Sequence, residues 1–600
     1  MLKLQAVKNV CGIIGYIGKK DATPLLLESL KRLEYRGYDS CGIACVMDDS
    51  NIAVRKGAGR INEVSQKKRF EEVKSHLGIA HTRWATHGKV SDENAHPFVS
   101  CDGKYALVHN GILENYHSLK EDLLKKGHTF SSETDTEVLV HLLEEKLNHS
   151  ENADILTVVQ EIVEEAKGAY TFLLLRKDTK EIIAFRKDSP LILGLAEDGY
   201  YASSDIMSFL PYTNKTIILK NNQMAILRNK SLQLFNVKTG KELTVEPTIV
   251  DWTPEQASKS GYPHFMLKEI FEETEVSKLA LEQSSERMQK MLTLLQSNMN
   301  LLFLGSGTSY RACYLASIYF TKMAGKKCQA ILGSEYKTYH NIVDKNTIIF
   351  AVSQSGETAD VLEGIRLAKE KGATIVSLVN VLGSTIRRES DFYLTLNAGP
   401  EIAVASTKAF TSQVLVLLLL AYGLSNKLQE GRKELQSLID LLPEVMDLSP
   451  TISQLAADVM NQRDLYLIGR STSYPVAMEG ELKIKEIAYI HADALAGGEL
   501  KHHTLALIEK GVPCIALVPN DSTKDDMLNN IMQIKSRGGI IIGISSLDLE
   551  EFDYHIPLPA HPLETILMIP VLQLISYHLA VLRGNDPDFP RNLAKSVTVL

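Results

Sequence analysis

The sequence predicts a layered α+β domain followed by two related α/β domains with parallel sheets, and three observations carry that prediction. From Cys11 to about Lys241, short β-rich runs such as YALVHNG, AYTFLLLR and TIILKNN interleave with helical segments such as TDTEVLVHLLEEKL. The later part of the chain alternates strand, glycine turn and helix, as parallel α/β units do. Within it, LLFLGSGTSY from Leu301 is echoed by LYLIGRSTSY from Leu465, pairing Gly305 with Gly469 and Ser309 with Ser473. The expected division is a leader at 1–10, a first domain at 11–241, a linker at 242–285, α/β domains at 286–430 and 431–585, and a tail at 586–600.

Totals bound the function. At 600 residues the chain exceeds one hydrophobic core, and 44% hydrophobic and 23% charged residues with a net charge of -8 give no electrostatic footprint for nucleic acid. Seven cysteines without paired spacing suit a reducing compartment such as the cytoplasm. The apolar run from Val414 to Leu424 is shorter than the roughly 20 residues that span a bilayer and reads as a buried helix. The first ten residues lack an apolar signal core, so no membrane is expected.

Each domain offers candidate chemistry. In NTIIFAVSQSGETADVLEGI a strand ends at Ser353 and a helix starts near Glu357, so Ser353, Gln354, Ser355, Gly356 and Thr358 face an anion at a helix N-terminus, downstream of Thr308 and Ser309. GSGTSY lacks the third glycine of a dinucleotide fingerprint, and no phosphate-binding lysine follows, which disfavours a nucleotide and favours a phosphate monoester. Plain helix capping is the alternative. In the second copy the matching strand ends in Pro519, Asn520 and Asp521, so one phosphate position per chain is expected. Instead, that copy carries Glu479, Lys483 and Glu486 at i, i+4 and i+7, one helix face set among apolar neighbours. A solvated ion-pair stripe is the plain alternative; burial turns the same residues into an acid–base pair.

The first domain gathers CGIIGY at Cys11, EYRGYDS, AHTRWATHG, HNGILENY and SSETDTEV. Arg36 or Arg83 can clamp a carboxylate, Asp135 can hold an amino group, and Asn110 with Gly111 can form an oxyanion hole beside a thiolate nucleophile. His81, His87 and His96 match no standard metal spacing, nor do the adjacent His502 and His503, so no metal or cofactor is expected.

From Cys11 onward the chain resembles the isomerising glutamine:fructose-6-phosphate aminotransferases. CGIIGYIG, LEYRGYDS, HTRWATHG, HNGILENY and SETDTE resemble their N-terminal-nucleophile glutaminase domain, a layered α/β/β/α sandwich. SQSGETAD and ASTKAF resemble the first sugar isomerase domain, and EGELKIKE, GELKH and PRNLAKSVTV the second domain and its catalytic tail. The resemblance implies glutamine hydrolysis at Cys11 through a thioester held by Asn110 and Gly111, with Arg83 on the substrate carboxylate and Asp135 on its amine. It makes Trp84 the gate of an ammonia channel. It further implies that Thr308, Ser309, Ser353, Gln354, Ser355 and Thr358 hold fructose 6-phosphate, with Val404 and Ala594 nearby. His502 of a neighbouring subunit in a homodimer would assist ring opening, Lys595 would form a Schiff base, and Glu486 helped by Lys483 would move the proton between C1 and C2. Ser306, His503, Thr504 and Leu600 depart from the family's usual residues.

In such a mechanism the α-amino group of Cys11 is the general base. Residues 1–10 are therefore expected to be cleaved off as a propeptide or never translated, with Val10 marking the start codon. Amidotransfer to another sugar phosphate is one competing reading. A non-catalytic sugar-phosphate sensor is another, although sensing needs neither the glutaminase motifs nor Glu486, Lys483 and Lys595.

Overall fold

The computed structural model describes residues 11–84, 89–148, 154–187, 189–250, 258–297, 299–381 and 383–596. The leader at 1–10, His87 and the last four positions of the tail lie outside the described residues. The chain divides into two compact units at the Ala257 and Ser258 junction.

The first unit is built on an eight-stranded and a seven-stranded sheet. Period-2 alternation sorts each strand's side chains into two cores. Along Tyr105–Leu113, Ala106 and Val108 join Ile13, Ile17 and Ile79 of the other sheet in the core between the sheets. Leu107 and Leu113 point the opposite way, against Val138, Leu142 and Val159 of helices Asp135–Asn148 and Ile155–Glu165. Helix Ala22–Leu33 covers the outer face of the eight-stranded sheet; its Asp21 cap accepts from the Thr23 N–H, and Leu26 and Leu30 are buried. The layers run helix, sheet, sheet, helix.

In the second unit two five-stranded parallel sheets repeat one topology. The first is ordered Cys328–Leu332, Asn300–Gly305, Thr347–Ser353, Thr374–Val379, Phe392–Thr395, and the second His491–Ala496, Asp464–Gly469, Pro513–Leu517, Ile540–Ser545, Tyr554–Pro557. Each therefore reverses direction of strand order between its first and third strands, where doubly wound sheets bind ligands at their carboxyl ends. The paired glycines have the same packing role. A Cβ on Gly305 would lie 2.9 Å from the Ser309 carbonyl carbon, and one on Gly469 2.5 Å from the Ser473 carbonyl oxygen, so each glycine lets the next helix start against its strand.

Two features differ from the expectation. The stretch 242–285 is not a plain linker: Phe265–Phe271 and Glu273–Leu281 are helices whose Met266, Ile270 and Ala280 enter the core of the second unit. The Val414–Leu424 run lies, as expected, in a buried helix, Lys408–Leu424, but a longer apolar helix exists. Glu564–Leu582 has a mean hydropathy of 1.9 over its most apolar window, and 83% of that window is buried inside the unit, where it packs as a core helix.

Candidate active sites

Strand pairing builds the first site. Gly12 pairs with Thr82, and Ser40 with Arg83, which sets Cys11 at the strand end beside Arg83 and Trp84. The Trp84 N–H donates to Cys11 Sγ at 3.3 Å. Burial pushes the Cys11 thiol up to about 11, although the Trp84 N–H and the charges of Arg83 and Arg36 pull it down. The Cys11 carbonyl accepts from Asn110 Nδ2 at 2.9 Å and from Arg36 Nε at 3.4 Å. Gly111 follows with φ 148°, and a Cβ there would lie 2.2 Å from the Ala169 carbonyl oxygen, so the backbone at this point admits only glycine. Asp135, buried at the first turn of its helix, accepts the Leu113 N–H through Oδ2 at 2.9 Å.

Cys11, Arg83, Trp84, Asn110, Gly111 and Asp135 thus come together. Arg36 joins them in a different manner from a substrate clamp: its guanidinium holds the Cys11 carbonyl and, at 3.3 Å, the Asp205 carboxylate. His81 and His96 stack with ring centroids 3.9 Å apart, His81 Nε2 on the His109 carbonyl at 3.2 Å and His96 Nε2 on Thr136 Oγ1 at 3.3 Å. Burial holds His81 down at about 3, a neutral ring.

In the second unit the predicted residues gather at the switch point of the first parallel sheet. Thr308 and Ser309 open helix Thr308–Ala324 after the first strand, and the Ser353–Thr358 loop follows the third. Ser353 Oγ accepts the Gly356 N–H at 3.0 Å and lies 3.1 Å from Thr358 Oγ1, which shapes the loop before helix Ala359–Glu370. Gln354, Ser355 and Thr358 remain half-buried around it. Ser309 is buried and accepts from Gln413 Nε2 at 3.0 Å.

Thr308 ties the two α/β domains together by donating to Glu479 Oε1 at 3.0 Å. Lys483, buried, sits 2.6 Å from Glu486 Oε2 and 3.4 Å from Glu479 Oε1. Burial pushes the Glu479 carboxyl up to about 7. Burial also opposes charge on Lys483, but Glu486, Glu479 and Glu401 outweigh it and keep the ammonium. The stripe is not one continuous α-helix as its spacing suggests. The α-helix Ser473–Lys483 widens into a π-helical turn, Ile484–Ala488, which presents Glu486 and ends at Tyr489 with φ 55°.

The described part of the tail up to Lys595 packs against the second unit. The buried Asp588 carboxylate accepts the N–H groups of Phe265 and Met266 at 2.9 and 2.8 Å, and its carbonyl accepts the Val404 N–H at 3.0 Å. Lys595 ends in an ion pair with Glu401, its side chain 4% exposed, with Ala594 half-buried next to it. Burial works against the Glu401 charge, yet Lys595 and the N–H groups of Ala409 and Thr407 hold its carboxyl below the usual range. His502 and His503 are exposed at the end of Gly497–His502.

Sequence reasoning passed over Glu401, Gln413 and Asp588. Glu401 precedes ASTKAF by only four residues, but its partner Lys595 is 194 positions away.

A buried cysteine at a strand end in a layered α/β/β/α unit, joined in one chain to duplicated parallel domains with a hydroxyl-rich loop, fits a glutamine amidotransferase coupled to paired sugar isomerase domains. The comparisons agree. The glutamine amidotransferase domain family matches residues 81–211, and the SIS domain family matches 293–422 and 459–583. Over 606 residues the chain is 44% identical to glutamine–fructose-6-phosphate aminotransferase (isomerizing) of Thermococcus kodakarensis, covering 98% of this chain and all of the relative. The enzyme of the same name from Pyrococcus horikoshii is also 44% identical, over 601 residues with the same coverage. Among solved structures, the C-terminal domain of glucosamine-fructose-6-phosphate aminotransferase from Francisella tularensis superposes with a TM-score of 0.52 at 34% identity, covering 55% of this chain and 99% of that one. The chain belongs to the isomerising glutamine–fructose-6-phosphate aminotransferase family.

Proposed function

We propose that the two clusters divide the family's reaction between them: the chain takes the amide nitrogen of glutamine and delivers it to fructose 6-phosphate, giving glutamate and glucosamine 6-phosphate. Cys11 attacks the side-chain amide and releases ammonia. Asn110 Nδ2 and the Gly111 N–H stabilise the oxyanion, Arg83 holds the substrate carboxylate and Asp135 its ammonium. Arg36 fixes the backbone of the nucleophile rather than the substrate. Trp84 guards the passage of ammonia, which water would otherwise protonate.

In the isomerase half, Ser353, Gln354, Ser355 and Thr358 take the phosphate, with Thr308 and Ser309 beside them and Val404 and Ala594 near the sugar. Lys595 leaves Glu401 to form the Schiff base. Glu486 carries the proton between C1 and C2, its carboxylate oriented by the Lys483 ammonium. The observation that carries this reading is Lys483, buried and ion-paired between Glu479 and Glu486, since a solvated stripe would expose all three. Tracing the amide nitrogen tests it: glutamine labelled with nitrogen-15 in the amide is expected to yield labelled glucosamine 6-phosphate in step with glutamate. Label remaining in free ammonia in the presence of fructose 6-phosphate would count against it.

The modules proposed are 11–241 for the glutaminase, 286–430 and 431–585 for the isomerase pair and 586–600 for the tail, in a homodimer of the cytoplasm, a compartment that the seven free thiols suit. His502, exposed at the end of Gly497–His502, is proposed to serve the sugar site of the second subunit. Co-folding His502→Ala chains with Glu486→Gln chains is expected to restore about a quarter of wild-type activity, since half of the dimers are mixed and each mixed dimer holds one intact site. Activity no higher than in either parent would place His502 in its own subunit's site.

A further inference from the structure

Away from both sites, four side chains with metal-binding atoms converge in the first unit. Cys101 lies in the turn between Phe98–Val99 and Tyr105–Leu113, His128 in the loop before helix Asp135–Asn148, and His141 and Glu144 one turn apart on that helix. Cys101 Sγ is 3.7 Å from His128 Nδ1 and 3.6 Å from His141 Nδ1. Glu144 Oε2 is 3.3 Å from His128 Nδ1 and 3.1 Å from His141 Nδ1. A tetrahedral ion with bonds of about 2.3 Å to sulfur and about 2.0 Å to nitrogen and oxygen sets its S···N edges near ~3.5 Å and its N···O edges near ~3.3 Å. The four edges, 3.7 and 3.6 Å from sulfur and 3.3 and 3.1 Å from oxygen, lie close to those lengths.

We propose that Cys101, His128, His141 and Glu144 bind one tetrahedral divalent transition metal, with zinc the ion that a thiolate, two imidazoles and a carboxylate select. The surroundings of His128 are an independent second observation. Its other nitrogen, Nε2, lies 3.1 Å from Glu145 Oε2, and Lys126 braces Glu145 at 2.9 Å. A metal-bound imidazole characteristically donates its remaining N–H to a carboxylate, which fixes the tautomer. Without an ion the same ring faces a carboxylate at each nitrogen while His141 competes for the same oxygen of Glu144. Glu144 is itself held in place by the N–H groups of Cys101 and Asp102 at 2.9 and 2.8 Å.

The side chains of His128, His141 and Glu144 are 9%, 2% and 4% exposed, and Cys101 at the surface gives the entry path. On binding, the Cys101 S–H bond breaks, the sulfur–metal bond forms and the proton leaves to solvent. Four protein ligands leave no open position, so the ion is structural. It clips the turn that leads into the strand of Asn110 and Gly111 to the helix that begins with Asp135, and so braces the frame of the glutaminase site. Nothing in the sequence announces it: the ligands are separated by 27, 13 and 3 positions.

The test is a titration of the full chain, stripped of metal and kept reduced, with Co²⁺ alone. One equivalent is expected to bind with a thiolate-to-cobalt band in the near ultraviolet and the visible bands of a tetrahedral site, both erased by one equivalent of Zn²⁺. Cys101→Ser is expected to lose the thiolate band. Glu145→Gln is expected to keep the spectrum but bind about tenfold more weakly. Circular dichroism checks that each variant is folded, and the wild-type titration stands without them. No stoichiometric thiolate band in the wild-type chain, or an unchanged band in folded Cys101→Ser, overturns the proposal.

Discussion

A chain whose first residue is Cys11 is expected to release glutamate from glutamine about 10²–10⁴-fold faster than one in which Met1 to Val10 remain bonded to the Cys11 nitrogen. The reason lies in the acidity of the thiol. Burial pushes Cys11 up to about 11, and the opposing pull of Trp84, Arg83 and Arg36 does not undo it. At neutral pH only about one thiol in ten thousand is then ionised, so attack needs a base at hand. The nearby rings are neutral and turned elsewhere, His81 onto the His109 carbonyl and His96 onto Thr136. The α-amino group of Cys11, with an ordinary pKa of about 8, can take the proton, whereas the same nitrogen in a peptide bond cannot. Rates of glutamate release from the two forms, each defined by intact mass, check this. Equal rates would assign the base elsewhere.

The second large effect is expected from Glu486→Gln. The amide keeps an oxygen for the Lys483 ammonium, 2.6 Å away in the native chain, so the packing around the buried lysine survives. What is lost is the carboxylate proposed to accept and return the sugar proton, for an expected loss of about 10²–10⁴-fold in glucosamine 6-phosphate formation. Glutamine hydrolysis at Cys11 is expected to continue, and its labelled nitrogen should accumulate as ammonia. Product formation within tenfold of wild type would remove Glu486 from the proton transfer.

Local patterns were legible where one strand or one loop supplies the chemistry. The strand-to-helix loop at Ser353 and the buried helix at Val414 follow from hydrophobic period and hydroxyl spacing alone. The matched glycines at Gly305 and Gly469 announced the duplicated topology. What the spacing missed depends on tertiary contact or on helix widening. Glu401 owes its role to Lys595, which the tail brings back to it. The presentation of Glu486 depends on a π turn, and no residue period encodes that extra residue per turn. Arg36 looked equivalent to Arg83 until the fold laid it on the Cys11 carbonyl.

The two sugar domains also differ at equivalent points of the same topology. In the second copy the loop after Pro513–Leu517 turns its Asn520 N–H onto the carboxylate of Glu564, a buried residue opening the core helix Glu564–Leu582. In the second copy an internal carboxylate thus occupies an N–H of the loop that stands where the first copy has its Ser353 to Thr358 turn. The duplicated half of the chain thus carries one topology with two different loops, a hydroxyl-rich turn in the first copy and a loop tied to the core helix in the second, which places Glu479, Lys483 and Glu486 after its first strand instead.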